Sequence, residues 1–201
     1  MLEQQPVSGA ILRGTTVSGG RYGGGGQGAG TVFELTPASG GSWKERLLWQ
    51  FDGGDGQGPR AGVSFDSSGN LYGTTAGGGA TCEGDLCGTL FKLTQGTGGR
   101  WVYHPLYGFR KPEDGFSPSG GVVFDKAGNL YGTTELGGIG QCYDGCGVAY
   151  ELTPRPNSKW KYTVLYKFCS PYESPSGGTL ILDAKGNLYS TALSVVYEIT
   201  P

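Results

Sequence analysis

The chain has one histidine and one methionine in 201 residues, no apolar run that approaches a membrane span, and no patch of either charge. Each scarcity removes a class of protein. With His104 alone there are no paired histidines for a zinc site, and the cysteines do not form Cys-x2-Cys knuckles. A transmembrane helix needs roughly 20 consecutive apolar residues. The opening Met1-Leu2-Glu3-Gln4-Gln5-Pro6 has neither the basic nor the apolar region of a secretory leader. Fifteen Lys and Arg stand against 17 Asp and Glu, spread along the chain, so nucleic acid and anionic membrane surfaces find no electrostatic footprint. Helix-compatible stretches are also scarce. The longest segments free of Gly and Pro, 157–170 and 187–200, are rich in Tyr, Val and Thr, which favours strands and excludes long helices.

Glycine, by contrast, occurs 41 times and proline 11 times, a content typical of low-complexity sequence unless a period organises it. It does. Gly69-Asn70-Leu71-Tyr72-Gly73-Thr74-Thr75 returns as Gly128-Asn129-Leu130-Tyr131-Gly132-Thr133-Thr134 and as Gly186-Asn187-Leu188-Tyr189-Ser190-Thr191-Ala192, with an earlier copy at Leu12-Arg13-Gly14-Thr15-Thr16. Gly30-Thr31-Val32-Phe33-Glu34-Leu35 recurs from Gly88, from Gly147 and from Ser194, and residues 43–51 recur as 101–109 and 160–168. The period is 58 to 59 residues. Each unit holds four short runs: a (121–125), b (130–134), c (147–153) and d (160–168). Run d alternates strictly, with Trp101, Tyr103, Pro105, Tyr107 and Phe109 on one face and Val102, His104 and Leu106 on the other. The a to b links, Asp66-Ser67-Ser68-Gly69-Asn70 and its copies from Asp125 and Asp183, read as hairpin turns whose aspartates cap backbone amides.

Four antiparallel strands per unit, with no helix between, predict an all-β fold of β-propeller type with four-stranded blades from about three and a half repeats. The copies run over about 12–70, 71–129 and 130–187, closed by 188–201, within one domain spanning 1–201. Counting runs gives b, c, d, then a to d twice, then a, b, c, which is 14 strands. A four-bladed disc needs more, so residues 1–10 supply a degenerate strand, or the chain is part of a larger propeller, or copies associate as a homo-oligomer to cover open edges. The 24 aromatic residues are the expected core.

Of five cysteines, Cys82 and Cys87 enclose four residues, and Cys142 and Cys146 enclose three. Two local disulfides are the leading reading, with zinc ligation and free thiols as alternatives. Disulfides imply a secreted, periplasmic or cell-surface location. Cys169 reads as a buried small hydrophobe near a strand end.

Taken together, Gly-Asn-Leu-Tyr-Gly-Thr-Thr, a Gly-Gly loop, Gly-Thr-Val-Phe-Glu-Leu-Thr-Pro, a Leu-x-x-Phe strand end and the Asp-Gly-x-x-Pro of residues 55–59 and 114–118 resemble the GloVer tandem repeat of bacterial choice-of-anchor surface proteins, over about 11–201. The resemblance implies a secreted, propeller-like repeat protein. It also implies more repeats and a C-terminal anchor, a pattern from which an ending at Thr200-Pro201 departs.

Function on such a scaffold belongs to loops. The b to c connections are the longest (18–29, 76–87 and 136–146), and they predict a ligand-binding face carrying Arg21 and Tyr22, Glu83 and Asp85, and Tyr143 and Asp144. Aromatic rings beside carboxylates suit a carbohydrate or another small extracellular ligand. A glycoside or ester hydrolase using Glu83, Asp85 or Asp144 is the alternative, and a structural, self-associating surface repeat is the third. Glu135 completes the set of loop carboxylates. No cofactor is expected, and calcium stays open as a ligand of the Asp/Gly turns. Residues 23–28 match G-x-G-x-x-G but open no helix to hold a pyrophosphate.

Overall fold

In the computed structural model of the chain, the described residues are 10–21, 28–79, 87–138, 142–175 and 177–201. They form four antiparallel sheets of three or four strands, with helix limited to three-residue 3-10 turns. The first sheet is β1 (Leu12–Thr16), β2 (Thr31–Pro37) and β3 (Trp43–Gln50). The second is β4 (Ser64–Phe65), β5 (Leu71–Thr75), β6 (Thr89–Gln95) and β7 (Trp101–Gly108). The third is β8 (Val123–Phe124), β9 (Leu130–Thr133), β10 (Val148–Arg155) and β11 (Lys159–Lys167). The fourth is β12 (Ile181–Leu182), β13 (Leu188–Thr191) and β14 (Val196–Ile199). Strands pair in chain order within each sheet, so runs b-c-d, a-d, a-d and a-b-c each become one meander. Residues 1–9, expected to supply a degenerate strand, lie outside the described residues.

The turns explain the register. Asp66 Oδ1 accepts the amides of Ser68 and Asn70 at 2.9 and 3.0 Å, while its Oδ2 accepts Asn70 Nδ2 and Tyr72 Oη. Asp125 and Asp183 repeat the same four bonds one and two repeats later. These aspartates are fully used in closing the hairpin. Runs a shrink to two-residue strands because the Asp turn takes the residues that follow.

Strict alternation in run d fails at one place, identically in three sheets. The ladder shifts between Val32 and Phe33, between Leu90 and Phe91, and between Ala149 and Tyr150. The extra residue is Leu48, Leu106 or Leu165. A bulge re-aims that side chain, so Leu106, expected outside with Val102 and His104, packs on the cluster between the second and third sheets. Leu48 and Leu165 likewise pack toward the following sheet. His104 stays exposed, with its Nε2 2.9 Å from Thr94 Oγ1.

Hydrophobic clusters join the first sheet to the second, the second to the third, and the third to the fourth; among the described residues none joins the fourth to the first. Aromatics dominate, with Phe51, Phe91, Phe109, Tyr150 and Phe168 among the largest fully buried side chains. Cys142 and Cys146 form a disulfide. Cys87 is also disulfide-bonded, and Cys82, paired with it from sequence, lies outside the described residues. Cys169 is exposed and free, not buried; it follows buried Phe168, and alternation turns it outward.

Candidate functional site

One end of every sheet gathers the close of strand b, the start of strand c and the close of strand d. The d to a segment of one sheet reaches across and pairs with the b to c loop of the next. Gln57 and Gly77 exchange backbone bonds at 2.8 and 2.9 Å, and Phe116 and Leu136 do so at 2.8 and 3.2 Å. The Asp-Gly-x-x-Pro element builds this crossing. A Cβ on Gly56 would lie 2.6 Å from Thr75 Oγ1, and one on Gly115 2.2 Å from Thr134 Oγ1. The positive φ of both glycines, +142° and +84°, adds to the demand for Gly. The carbonyl of the same aspartate accepts a tyrosine of the next sheet's d strand, Tyr103 Oη on Asp55 O at 2.6 Å and Tyr162 Oη on Asp114 O.

Between the first and second sheets this crossing leaves a cavity of about 530 Å³, within the range of small-molecule sites. Its wall is aromatic, made by Tyr103, Tyr107 and Phe109 from the d strand and its end. Trp49 stacks on Tyr103 at 5.4 Å, and Tyr107 stacks on Tyr162 at 4.1 Å, so both tyrosines are held by neighbours. The rim is polar, with Asp52, Asp55, Thr89 and Arg110, and with the backbone of Gly54, Gly78 and Gly79. Arg110 also borders a neighbouring cavity of about 410 Å³ lined by Leu106, Lys111 and Asp114.

The carboxylates differ in what occupies them. Asp55 Oδ2 accepts Trp49 Nε1–H at 2.7 Å and its Oδ1 accepts the Asp52 amide at 2.9 Å. Burial pushes the Asp55 carboxyl above its ordinary value despite these bonds. Asp52 Oδ1 accepts the amides of Gly54 and Asp55 at 2.8 and 3.1 Å, and its residue is exposed. Burial pushes the Tyr103 hydroxyl up to about 12, so it stays a donor to Asp55 O throughout the physiological range. Arg110 is exposed and makes no ion pair among the described residues. The site brings together the Tyr103 and Tyr107 rings, an exposed guanidinium, and carboxylate and carbonyl acceptors.

Of the described residues singled out from sequence, Arg21, Tyr143, Asp144 and Glu135 do not line this cavity. Arg21 is exposed and donates its amide to Gln50 Oε1 at 3.0 Å, beside the first sheet. Tyr143 is fully exposed, and the Asp144 carbonyl accepts the Gly137 amide at 2.6 Å, within the third sheet's own loop. Glu135 pairs with Arg60 at 3.4 Å. Tyr22, Glu83 and Asp85 lie outside the described residues. Sequence reasoning missed Asp52, Asp55, Tyr103, Tyr107 and Arg110 as a group. The signals were present, in the Asp-Gly-x-x-Pro element and in the aromatic face of run d, but the two are separate in the chain and meet only across a sheet junction. Among the described residues no three His, Cys, Asp or Glu side chains converge on a metal position.

Residues 3–197 match the family model described as the Gloeobacter/Verrucomicrobia repeat. No curated protein gives a significant match to the chain.

Proposed function

From the premise that the chain belongs to the Gloeobacter/Verrucomicrobia repeat family, we propose that it is a secreted repeat module of propeller type that binds a carbohydrate between its first two sheets. The 58 to 59-residue repeats, each folded as one antiparallel meander and packed in chain order, support reading residues 1–201 as one domain with the sheets as blades. The disulfide between Cys142 and Cys146 suits an oxidising compartment, and no helix among the described residues is long and apolar enough to cross a membrane.

The observation that carries the binding reading is the cavity of about 530 Å³ with tyrosine walls and an unpaired arginine at its rim. Stacking of a sugar face on Tyr107, with hydroxyls shared between Arg110 and Asp52, uses part of the aromatic wall and two of the charged side chains at the rim. The loop residues Arg21, Tyr22, Glu83, Asp85, Tyr143 and Asp144 are proposed to contribute to selection among longer glycans. The two carboxylates at the cavity, Asp52 and Asp55, are engaged by backbone amides and by Trp49, which favours binding over hydrolysis.

A glycan array tests this. The protein gives signal on a subset of glycans, and Arg110→Ala and Asp52→Ala each weaken binding to those glycans about tenfold, ~1.4 kcal/mol. Tyr143→Ala leaves binding of short glycans unchanged. Binding that ignores Arg110 and vanishes with Tyr143 overturns this placement of the site.

A further inference from the structure

The four sheets bury the same repeat positions against their neighbours, and the two ends of the series break the rule. On the face each sheet turns to the next, Val32, Leu90 and Ala149 are 0 % exposed, whereas the fourth copy, Val196, is 76 % exposed. On the opposite face, which each sheet turns to the one before, Leu71, Leu130 and Leu188 are 0 % exposed, whereas the first copy, Leu12, is 49 % exposed. Polar groups follow the same pattern. Thr15 Oγ1 donates to Ala61 O at 2.8 Å and Thr74 Oγ1 to Gly120 O at 2.9 Å, each crossing to the next sheet. Their fourth equivalent, Thr191, is exposed. Ile181 at 69 % extends the uncovered face of the fourth sheet, and Leu47 at 45 % that of the first.

These are two different half-junctions of one kind. The inner junctions show what each accepts. Val32 packs with Leu71 and Leu93 of the following sheet, and Leu90 with Leu130 and Leu152. Leu12 and Leu35 occupy the same repeat positions as those leucine pairs. We infer that a second copy of this chain covers both ends, its first sheet seated on the fourth sheet of its partner and the reverse. Val196 then lies against Leu12 and Leu35 of the other copy, as Leu90 lies against Leu130 and Leu152 within one chain. Two head-to-tail contacts related by a two-fold axis close a ring of eight sheets, within the range of about four to eight blades that propellers use. The partner is fixed by the repeat itself, because apolar faces of this size invite cover and the first sheet already carries the residues that cover the fourth's equivalents.

The contact is heterologous, so two substitutions on different surfaces must complement. Light scattering across a concentration series gives the mass of two chains for the parent protein. Leu12→Asp and Val196→Asp each give the mass of one chain with an unchanged β-sheet circular dichroism spectrum. In a mixture, the intact fourth sheet of Leu12→Asp meets the intact first sheet of Val196→Asp, so pairs form through that one junction while the junction between the two substituted faces stays open. A single-chain mass for the parent at every concentration overturns the inference. So do pairs that survive either substitution, and folded variants that fail to pair when mixed.

Discussion

At the scale of single residues, the repeat is held by positions where only one side chain fits. Gly73 faces Phe91 across the β5–β6 ladder, and a Cβ there would lie 2.7 Å from Phe91 Cζ. Gly14 with Phe33 and Gly132 with Tyr150 repeat the pair. The missing side chain lets the ring lie over the strand. In the second sheet that ring is fully buried, with Phe51 edge-on at 5.2 Å and Tyr103 at 6.0 Å. Phe91 has nowhere to retreat. Gly73→Ala therefore costs about 1 to 3 kcal/mol, the range for overpacking a tight core, read as a lower urea midpoint. In the fourth sheet the equivalent pair is Ser190 and Tyr197, and there Tyr197 is only half-buried, which is why a side chain is tolerated. The glycine recurrence was legible in the sequence. Its cause was not, because the partner ring lies 18 or 19 residues further along the chain.

At the scale of elements, the aspartate turns and the bulges set each hairpin. Burial pushes the Asp66 and Asp125 carboxyls up, but bonds from the following asparagine and tyrosine and from backbone amides outweigh it, leaving both below the ordinary 3.8. The asparagine amide lowers Asp183 in the same way. A carboxyl depressed in the folded chain contributes its full stability above the unfolded value and loses it as pH falls through the folded one. The stability contributed by these turns is therefore flat above about pH 4 and declines below it, with all three turns contributing. Asp125→Ala removes about 1 to 2 kcal/mol, the net worth of a charged acceptor with several donors after solvent screening, and flattens part of that acid decline in a pH series of thermal melts. An unchanged acid profile in the variant contradicts the role. These turns were readable from Asp-x-x-Gly-Asn alone. The bulges were not, since a strict period-2 pattern accommodates Leu106 on the outer face as well as it does Val102, and only the ladder shift distinguishes them. A leucine recurring at 48, 106 and 165 was the trace that the bulge left in the sequence.

At the scale of the whole molecule, strand number and order followed from counting repeats, whereas the candidate site did not. Among the described residues, 14 strands fall into sheets of three, four, four and three, as the run order implies. The cavity, however, joins Asp52 and Asp55 of one repeat to Tyr107 and Arg110 of the next, and no pattern along the chain announces that meeting. Sequence reasoning looked to the longest loops, where variable composition is visible. The structure adds a cavity at the crossing between the first two sheets, where a repeated element stitches one sheet to its neighbour. The same crossing recurs at the second junction, where Tyr162 donates to the Asp114 carbonyl and stacks on Tyr107 as Tyr103 stacks on Trp49.

The central claim, that a carbohydrate is bound between the first two sheets, is tested most directly by amide chemical-shift mapping during titration with an array-positive oligosaccharide. The account predicts the largest perturbations at Asp52, Gly54, Gly78, Gly79 and Arg110, with smaller changes at Tyr143 and Asp144. Perturbations confined to the third sheet's loop, with the amides around Arg110 unmoved at saturation, would contradict it.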